Sequence, residues 1–473
     1  MNLLFLLKNK KIQFIFTKYI TYFLYFIISI LVANKLGLFF FGIYGFFKLL
    51  IQYFSYSNLG VNYSGLVIMS EQKVLDNSKN ENILSLSLII SAISFLVIFV
   101  LFSLICNYIY PYLYEKYNVN EYIFFLFIII LFKQFNQIFI NTNRIYDNLS
   151  LINWAYIIPC LCELLALLFG NEESLLRNIL WAMVISNIFV TILFLVKTPI
   201  KIHCRPKSAD ARCLLLRGIK LLAYNVSFYF IILVSKSFIS KYFQVEEFAQ
   251  YSFSYNLSDA VMLLNNAISF LIYPALLNKL YMTSDNFEKK AILHETQEKY
   301  MLIANLIIIV AFIVLPLLHY IVPEYNKSPD ILYSLLFAQL LIANTFTLST
   351  NLVQLKKENS LIVIGLGTII FMLFVNLMLL KLTKNIIVVS YGLSLSLIIY
   401  NLSLAYLNVS ILKLNKNAIF KFVNPTFFIP FILALIAKIY FTYHLSIIIF
   451  IILTITLLFK KYWRLYENII HEK

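Results

Sequence analysis

Six charged side chains stand inside long apolar runs: Lys18, Lys48, Lys133, Glu163, Lys236 and Asp259. A charge in the bilayer core costs roughly 2.5–3.5 kcal/mol or more, so each such residue marks a place where function or pairing offsets that cost. Residues three, four or seven apart share a helix face. On that spacing Tyr44, Lys48 and Gln52 form one polar stripe, and Tyr255, Asp259 and Asn266 form another. Lys133, Asn136, Gln137, Asn141 and Arg144 are expected along one side of a further run, and Asn225, Tyr229 and Lys236 along one side of another. Lysines in such places attract anionic groups, while Asn, Gln and Tyr hydrogen-bond hydroxyls. Lys18 and Lys236 lie near run ends, where a long side chain can instead snorkel to the interface. Lys48 and Lys133 sit deeper and are expected to line a cavity. Glu163 and Asp259 either bind a coupling cation or pair with lysine. Lys438 stands apart, close to the C-terminus. No Gly-rich phosphate loop, metal-ligand cluster or nucleophile motif occurs, so neither nucleotide hydrolysis nor a metal or other cofactor is expected.

The elements that must position these residues follow from composition. The 473 residues are 61% hydrophobic and 13% charged, with mean hydropathy +0.84. Globular chains run about 45–50% apolar and about 25% charged, so the chain belongs to the membrane class. A span needs roughly 20 apolar residues. Fourteen such runs are expected, at 14–33, 40–62, 83–107, 122–141, 151–170, 177–196, 217–240, 248–276, 299–320, 330–351, 361–380, 386–411, 425–442 and 444–460. Backbone polar groups in lipid must be satisfied within the segment, which makes each run a helix. A barrel would show short alternating strands instead. The fold class is therefore an all-α membrane protein. The abundant Tyr and Phe (33 and 44) read mainly as the codon bias of an AT-rich genome.

Orientation follows from loop charge. Most Lys and Arg fall in the loops on the side of the N-terminus, and only Lys35, Lys116, Arg177, Lys241, Lys327, Lys381 and Lys384 fall opposite. Both termini are thus expected in the cytoplasm. The net charge of +16 is spread over short loops rather than gathered on one face, which argues against nucleic acid as a partner. Five cysteines, Cys106, Cys160, Cys162, Cys204 and Cys213, form no CxxC pair and read as small packing residues. The N-terminus MNLLFLLKNKK lacks a small-residue cleavage site and does not read as a removable signal.

The most basic connection, Lys197 to Lys220, divides the chain into an N-lobe (1–196, six helices), a linker (197–216), a C-lobe (217–411, six helices) and a last pair of helices with a tail (412–473). Equal, even helix numbers permit a pseudo-two-fold axis along the membrane normal. An internal repeat supports the division. Phe41-Gly42-Ile43-Tyr44-Gly45-Phe46 matches Phe248-Ala249-Gln250-Tyr251-Ser252-Phe253, Ile109-Tyr110-Pro111 matches Ile321-Val322-Pro323, and Asp147-Asn148-Leu149-Ser150 matches Glu358-Asn359-Ser360. The repeat places Lys48 opposite Tyr255 and Gln52 opposite Asp259, so both stripes are expected to face one central cleft.

Leu36-Gly37 followed by Phe41-Gly42-Ile43-Tyr44, answered by Glu247-Phe248-Ala249-Gln250-Tyr251-Ser252-Phe253, resembles the polysaccharide (O-antigen) flippase family. That family belongs to the multidrug/oligosaccharidyl-lipid/polysaccharide exporter superfamily. Tyr273-Pro274, closing the eighth span, and Val322-Pro323-Glu324-Tyr325 resemble it too, while the family's late Asp-Arg pair is Ser235-Lys236 here. The resemblance implies alternating-access flipping of an oligosaccharide on undecaprenyl diphosphate across the bacterial cytoplasmic (inner) membrane, for O-antigen and lipopolysaccharide synthesis. Implied partners are the lipid-linked oligosaccharide, membrane lipids, a polysaccharide polymerase and a chain-length regulator. Lys18, Lys48, Gln52, Lys133, Lys236 and Tyr255 would then bind substrate, with Asp259 and Glu163 as coupling-ion candidates. A multidrug exporter is the rival reading, but helices one and two carry Lys18 and Lys48 and no acid. A membrane polymerase would be expected to carry a large periplasmic loop, and the longest here, Tyr108 to Glu121, is small.

Overall fold

The computed structural model describes residues 10–72, 77–109, 111–203, 206–207, 210–314, 321–325, 328–433, 452–454, 456 and 458–459. The N-terminal stretch up to residue 9, Lys438 and most of the spans 425–442 and 444–460 lie outside them. Among the described residues every regular element is helical, as expected. Among the described residues, eight helices are long and apolar enough to cross a membrane, and the bent pair Ala211–Ala223 and Asn225–Tyr242 makes a ninth if taken as one span.

The first element, α1 (Lys10–Phe54), has 45 residues. At 1.5 Å per residue it would extend about 68 Å, roughly twice the hydrocarbon thickness, so it must be two spans. The break falls at Gly37, whose φ of 66° and ψ of 174° suit a residue without Cβ. The two runs expected at 14–33 and 40–62 are thus fused through a kink, and the second ends early. Helix stops at Phe54, turns run through Gly60, and α2 (Val61–Gln72) follows. Leu59 (φ 52°) and Gly60 (φ 77°) make the reversal. The expected span 40–62 runs through this break, although Ser55, Ser57, Asn58 and Gly60 are residues that favour turns.

Then come α3 (Asn77–Ile109), α4 (Pro111–Lys116), α5 (Val119–Ile145), α6 (Leu149–Ala166), α7 (Glu172–Lys197), α8 (Ala211–Tyr242) and α9 (Val245–Met282). They are followed by α10 (Asn286–Val314), α11 (Ser328–Gln354), α12 (Glu358–Leu382), α13 (Ile387–Ile411) and α14 (Ala418–Val423). Tyr273-Pro274 does not close its span: α9 runs through both to Met282. In a bundle, neighbouring helices can re-satisfy the carbonyl that proline frees.

The duplication read from short motifs extends to backbone and buried polar pairs. The α8–α9 break at Phe243-Gln244 stands four residues before Phe248, as Gly37 stands four before Phe41. Phe41, Tyr44 and Phe46 are buried, and so are Phe248, Tyr251 and Phe253. After α5, Asp147 (φ 55°) closes the helix with amide bonds from Asp147 to the Arg144 carbonyl and from Asn148 to the Asn143 carbonyl. After α11, Lys356 (φ 56°) does the same with bonds from Lys356 to Val353 and from Lys357 to Leu352. Both are Schellman closures. Two buried asparagines seven residues apart precede each closure. Asn136 Nδ2 donates to the Asn187 carbonyl at 3.1 Å and Asn143 Nδ2 to Thr198 Oγ1 at 3.0 Å. Asn344 Nδ2 donates to Asn401 Oδ1 at 2.9 Å and Asn351 Nδ2 to Asn408 Oδ1 at 2.7 Å. The pairs tie α5 to α7 and its end, and α11 to α13, where polar contacts hold helices that lipid does not drive together.

The chain divides into two compact units, Met1–Tyr229 with Ser240–Ala249, and Phe230–Ile239 with Gln250–Lys473. In the first unit, α1 packs on α6, α6 on α7 and α5 on α7; in the second, α11 packs on α13 and α13 on α12. The linker is strapped to the first unit rather than hanging free. The Lys201 amide donates to Glu81 Oε1 at 3.1 Å, the His203 amide to Ser85 Oγ at 2.8 Å and the Lys207 amide to Asn82 Oδ1 at 2.6 Å.

Candidate substrate-binding site

In the first unit, three of the intramembrane charges expected from the sequence come together. Lys48 on α1 lies with its Nζ 4.4 Å from the centroid of the Tyr44 ring, one turn earlier on the same helix. Glu163 on α6 is within electrostatic reach of both Lys48 and Lys133 on α5. Tyr25, on the first half of α1, also faces Glu163. Glu163 is 5% exposed, and its Oε2 and the Tyr44 hydroxyl have no hydrogen-bond partner among the described residues. Lys133 is exposed, Lys48 half-buried and Glu163 buried. Two cations against one carboxylate leave this part of the bilayer depth positive. Pro159, four residues before Glu163, stands inside α6, where it removes a helical hydrogen bond.

Lys18 does not join this group. Its ammonium faces the rings of Phe14 and Tyr156 at 5.4 and 5.6 Å and shares its field with Arg144. Gln52, one turn past Lys48, is exposed. The α5 stripe divides into two faces. Lys133, Gln137 and Arg144 are exposed, while Asn136 and Asn141 are buried and spent on structure. A step of three residues turns the helix about −60° and a step of four about +40°, so residues three and four away from Lys133 stand about 100° apart.

Gln134, which the sequence reading passed over, holds the broken second span. Its Nε2 donates to the Phe54 carbonyl at 2.8 Å and to Ser57 Oγ at 2.7 Å, and its Oε1 accepts from Ser91 Oγ at 2.6 Å. Asn141 Nδ2 donates to the Asn62 carbonyl at 3.1 Å. Irregular backbone at membrane depth survives only where such donors replace the lost helical bonds. Interrupted helices of this kind are pointers to binding sites in transporters. A glutamine beside Lys133 carried no signal that could separate it from the polar stripe.

The second unit holds its own group. Lys236 on α8 is 6% exposed and its Nζ lies 3.5 Å from the Tyr255 ring centroid on α9. Asp259, one turn beyond Tyr255, is within electrostatic reach of Lys236 and of the buried Gln339 amide on α11. Each unit therefore carries a lysine over a tyrosine face with a carboxylate nearby, an arrangement in which cation–π attraction and charge pairing share the desolvation cost. The repeat does not align them residue by residue, because Lys48 occupies the position of Tyr255. Asn266 and Tyr229 are exposed, and Asn225 Nδ2 is turned back to the Leu221 carbonyl at 2.9 Å.

No known family model matches the sequence, and no curated protein matches it. Solved structures do. The lipid II flippase MurJ in an inward closed conformation aligns with TM-score 0.67 at 14% identity over 96% of this chain and 100% of that one. An inward-facing multidrug-resistance MATE transporter of the MOP superfamily aligns with TM-score 0.66 at 13% identity over 84% of this chain and 95% of that one. A MOP-superfamily transporter from Pyrococcus furiosus, described by the reverse polarity of its binding pocket, aligns with TM-score 0.51 at 14% identity over 87% and 98%. With its apolar helices and this likeness across nearly its whole length, the chain is a multi-pass membrane protein with the fold of the lipid II flippase and the MATE transporters of the MOP superfamily.

Proposed function

We propose that this chain moves an oligosaccharide carried on undecaprenyl diphosphate across the bacterial cytoplasmic membrane by alternating access, in the synthesis of a surface polysaccharide such as O-antigen. The observation that supports this most is the first unit's charge group. Lys48 and Lys133 outnumber Glu163 inside the bilayer span, and such a site favours an anionic head over a cationic drug. Lys48 and Lys133 contact the diphosphate, Gln52 the sugar hydroxyls, and Lys236 and Tyr255 a further anionic or hydroxyl group. Glu163 and Asp259 are the carboxylates at which a coupling cation acts, and Lys18 meets lipid phosphate at the interface. Both termini and the 197–216 linker face the cytoplasm, and polymerase and chain-length regulator would act on the flipped product on the opposite, periplasmic side.

The test is a strain in which this gene is the sole source of the activity. Lys48→Ala should abolish surface polysaccharide while the protein still reaches the membrane, and Lys48→Arg should retain part of it. Full polysaccharide with Lys48→Ala would remove the main support. A cation-coupled multidrug exporter remains the alternative, favoured by the likeness to MATE structures and contradicted by the excess of lysine.

A further inference from the structure

On the second unit, α12 and α13 enclose a groove of about 650 Å³, within the size range of small-molecule sites. Val363, Ile364, Ile399, Leu402 and Leu407 supply apolar walls, and Asn359, Ser360, Ser403 and Tyr406 add polar groups. The helices are joined by the short connection 383–386, so the start of α12 and the end of α13 meet at one end of the pair. Asn359 and Ser360 lie in the first turn of α12, and Leu407 one turn from the end of α13. The same end carries Lys356 and Lys357 just before α12 and Lys413 and Lys416 just after α13, all four exposed. Glu358 offsets one of those charges. Away from that end the outer faces are apolar and open, with Val363 69% and Ile370 69% exposed, as lipid-facing side chains are.

We propose that this groove binds one anionic phospholipid, with a fatty acyl chain along Val363, Ile399 and Leu402 and the phosphate at Lys356, Lys357, Lys413 and Lys416. Charge complementarity selects the headgroup, because basic clusters beside membrane helices attract anionic lipid. The apolar walls select a lipid over a free anion, since a bare phosphate would leave them unfilled.

Native mass spectrometry of the full-length protein in detergent, titrated with phosphatidylglycerol or phosphatidylcholine, tests this. Phosphatidylglycerol should bind at least tenfold more tightly. The double variant Lys357→Gln/Lys416→Gln, chosen to spare Lys356 and Lys413 with their left-handed backbone, should bring the two lipids to within about twofold. Ser403→Phe, which fills the groove and keeps every charge, should weaken both lipids at least fivefold. Equal binding of the two lipids by the wild type would overturn the proposal, as would wild-type affinity in the charge variant. Displacement of the phosphatidylglycerol by millimolar inorganic phosphate would assign the site to free anions. Displacement by undecaprenyl phosphate at a lower concentration than phosphatidylglycerol would make the groove a carrier-lipid site, and either result contradicts a phospholipid.

Discussion

At the scale of single residues, the intramembrane charges behave as groups rather than as separate binding points. Glu163 is reached by both Lys48 and Lys133, so removing it leaves two uncompensated cations. Glu163→Gln should lower the thermal midpoint, and Lys48→Met in the same background should recover part of that loss. A coupling energy of about 0.5–3 kcal/mol in the double-mutant cycle would report the contact, while additive effects would place the two side chains out of reach. Tyr255 is separable in the same way. Tyr255→Phe keeps the ring beneath Lys236 but loses the hydroxyl, and should retain more transport than Tyr255→Leu; equal activity of the two variants would rule out a role for the ring face. Sequence alone marked Lys48, Lys133, Glu163, Lys236 and Asp259, because charge in an apolar run is conspicuous. It missed Tyr25 and Gln339, since a lone neutral tyrosine or glutamine in an apolar run carries no cost comparable to a charge.

At the scale of elements, close backbone approach and buried amide pairs do the positioning. A Cβ on Gly60 would meet the Gly218 carbonyl oxygen at 2.1 Å, and Gly60 already has φ 77°. Gly60→Ala should therefore destabilise by about 1–3 kcal/mol through the break that Gln134 braces, read as a fall in thermal midpoint. An unchanged midpoint would mean that α2 and α8 do not meet as closely as described. Three of the charged residues expected on the sparsely charged side, Lys35, Lys116 and Arg177, have local partners. Lys35 Nζ donates to the Leu167 carbonyl at the end of α6 at 2.6 Å, Lys116 Nζ to the Ser240 carbonyl at 2.8 Å and to that of Phe243, and Arg177 pairs with Glu121 at 2.6 Å. These residues read in the sequence as exceptions to loop-charge bias, and two of them close helix C-termini. The span limits were legible where loops interrupt hydropathy. The break at Gly37 was legible, since it falls between the runs expected at 14–33 and 40–62, whereas the turn at residues 55–60 was missed although Ser55, Ser57, Asn58 and Gly60 are turn formers.

At the scale of the whole chain, three short motifs pointed to an internal repeat, and the asparagine pairs of α5 and α11 add matching positions that no motif search on aromatic or proline positions would reach. What the sequence could not give is the pairing of charges across helices, since that depends on how separate helices pack rather than on spacing along one of them. The central claim is transport of an anionic, lipid-linked saccharide. Purified protein in proteoliposomes, loaded with a fluorescent oligosaccharide on undecaprenyl diphosphate, measures it directly through the fraction of headgroups open to an added membrane-impermeant glycosidase. Wild-type protein should move headgroups between leaflets faster than protein-free vesicles, and Lys48→Ala with Lys133→Ala should return the rate to that background. No movement by the wild type, together with export of a cationic dye by the same vesicles, would contradict the account.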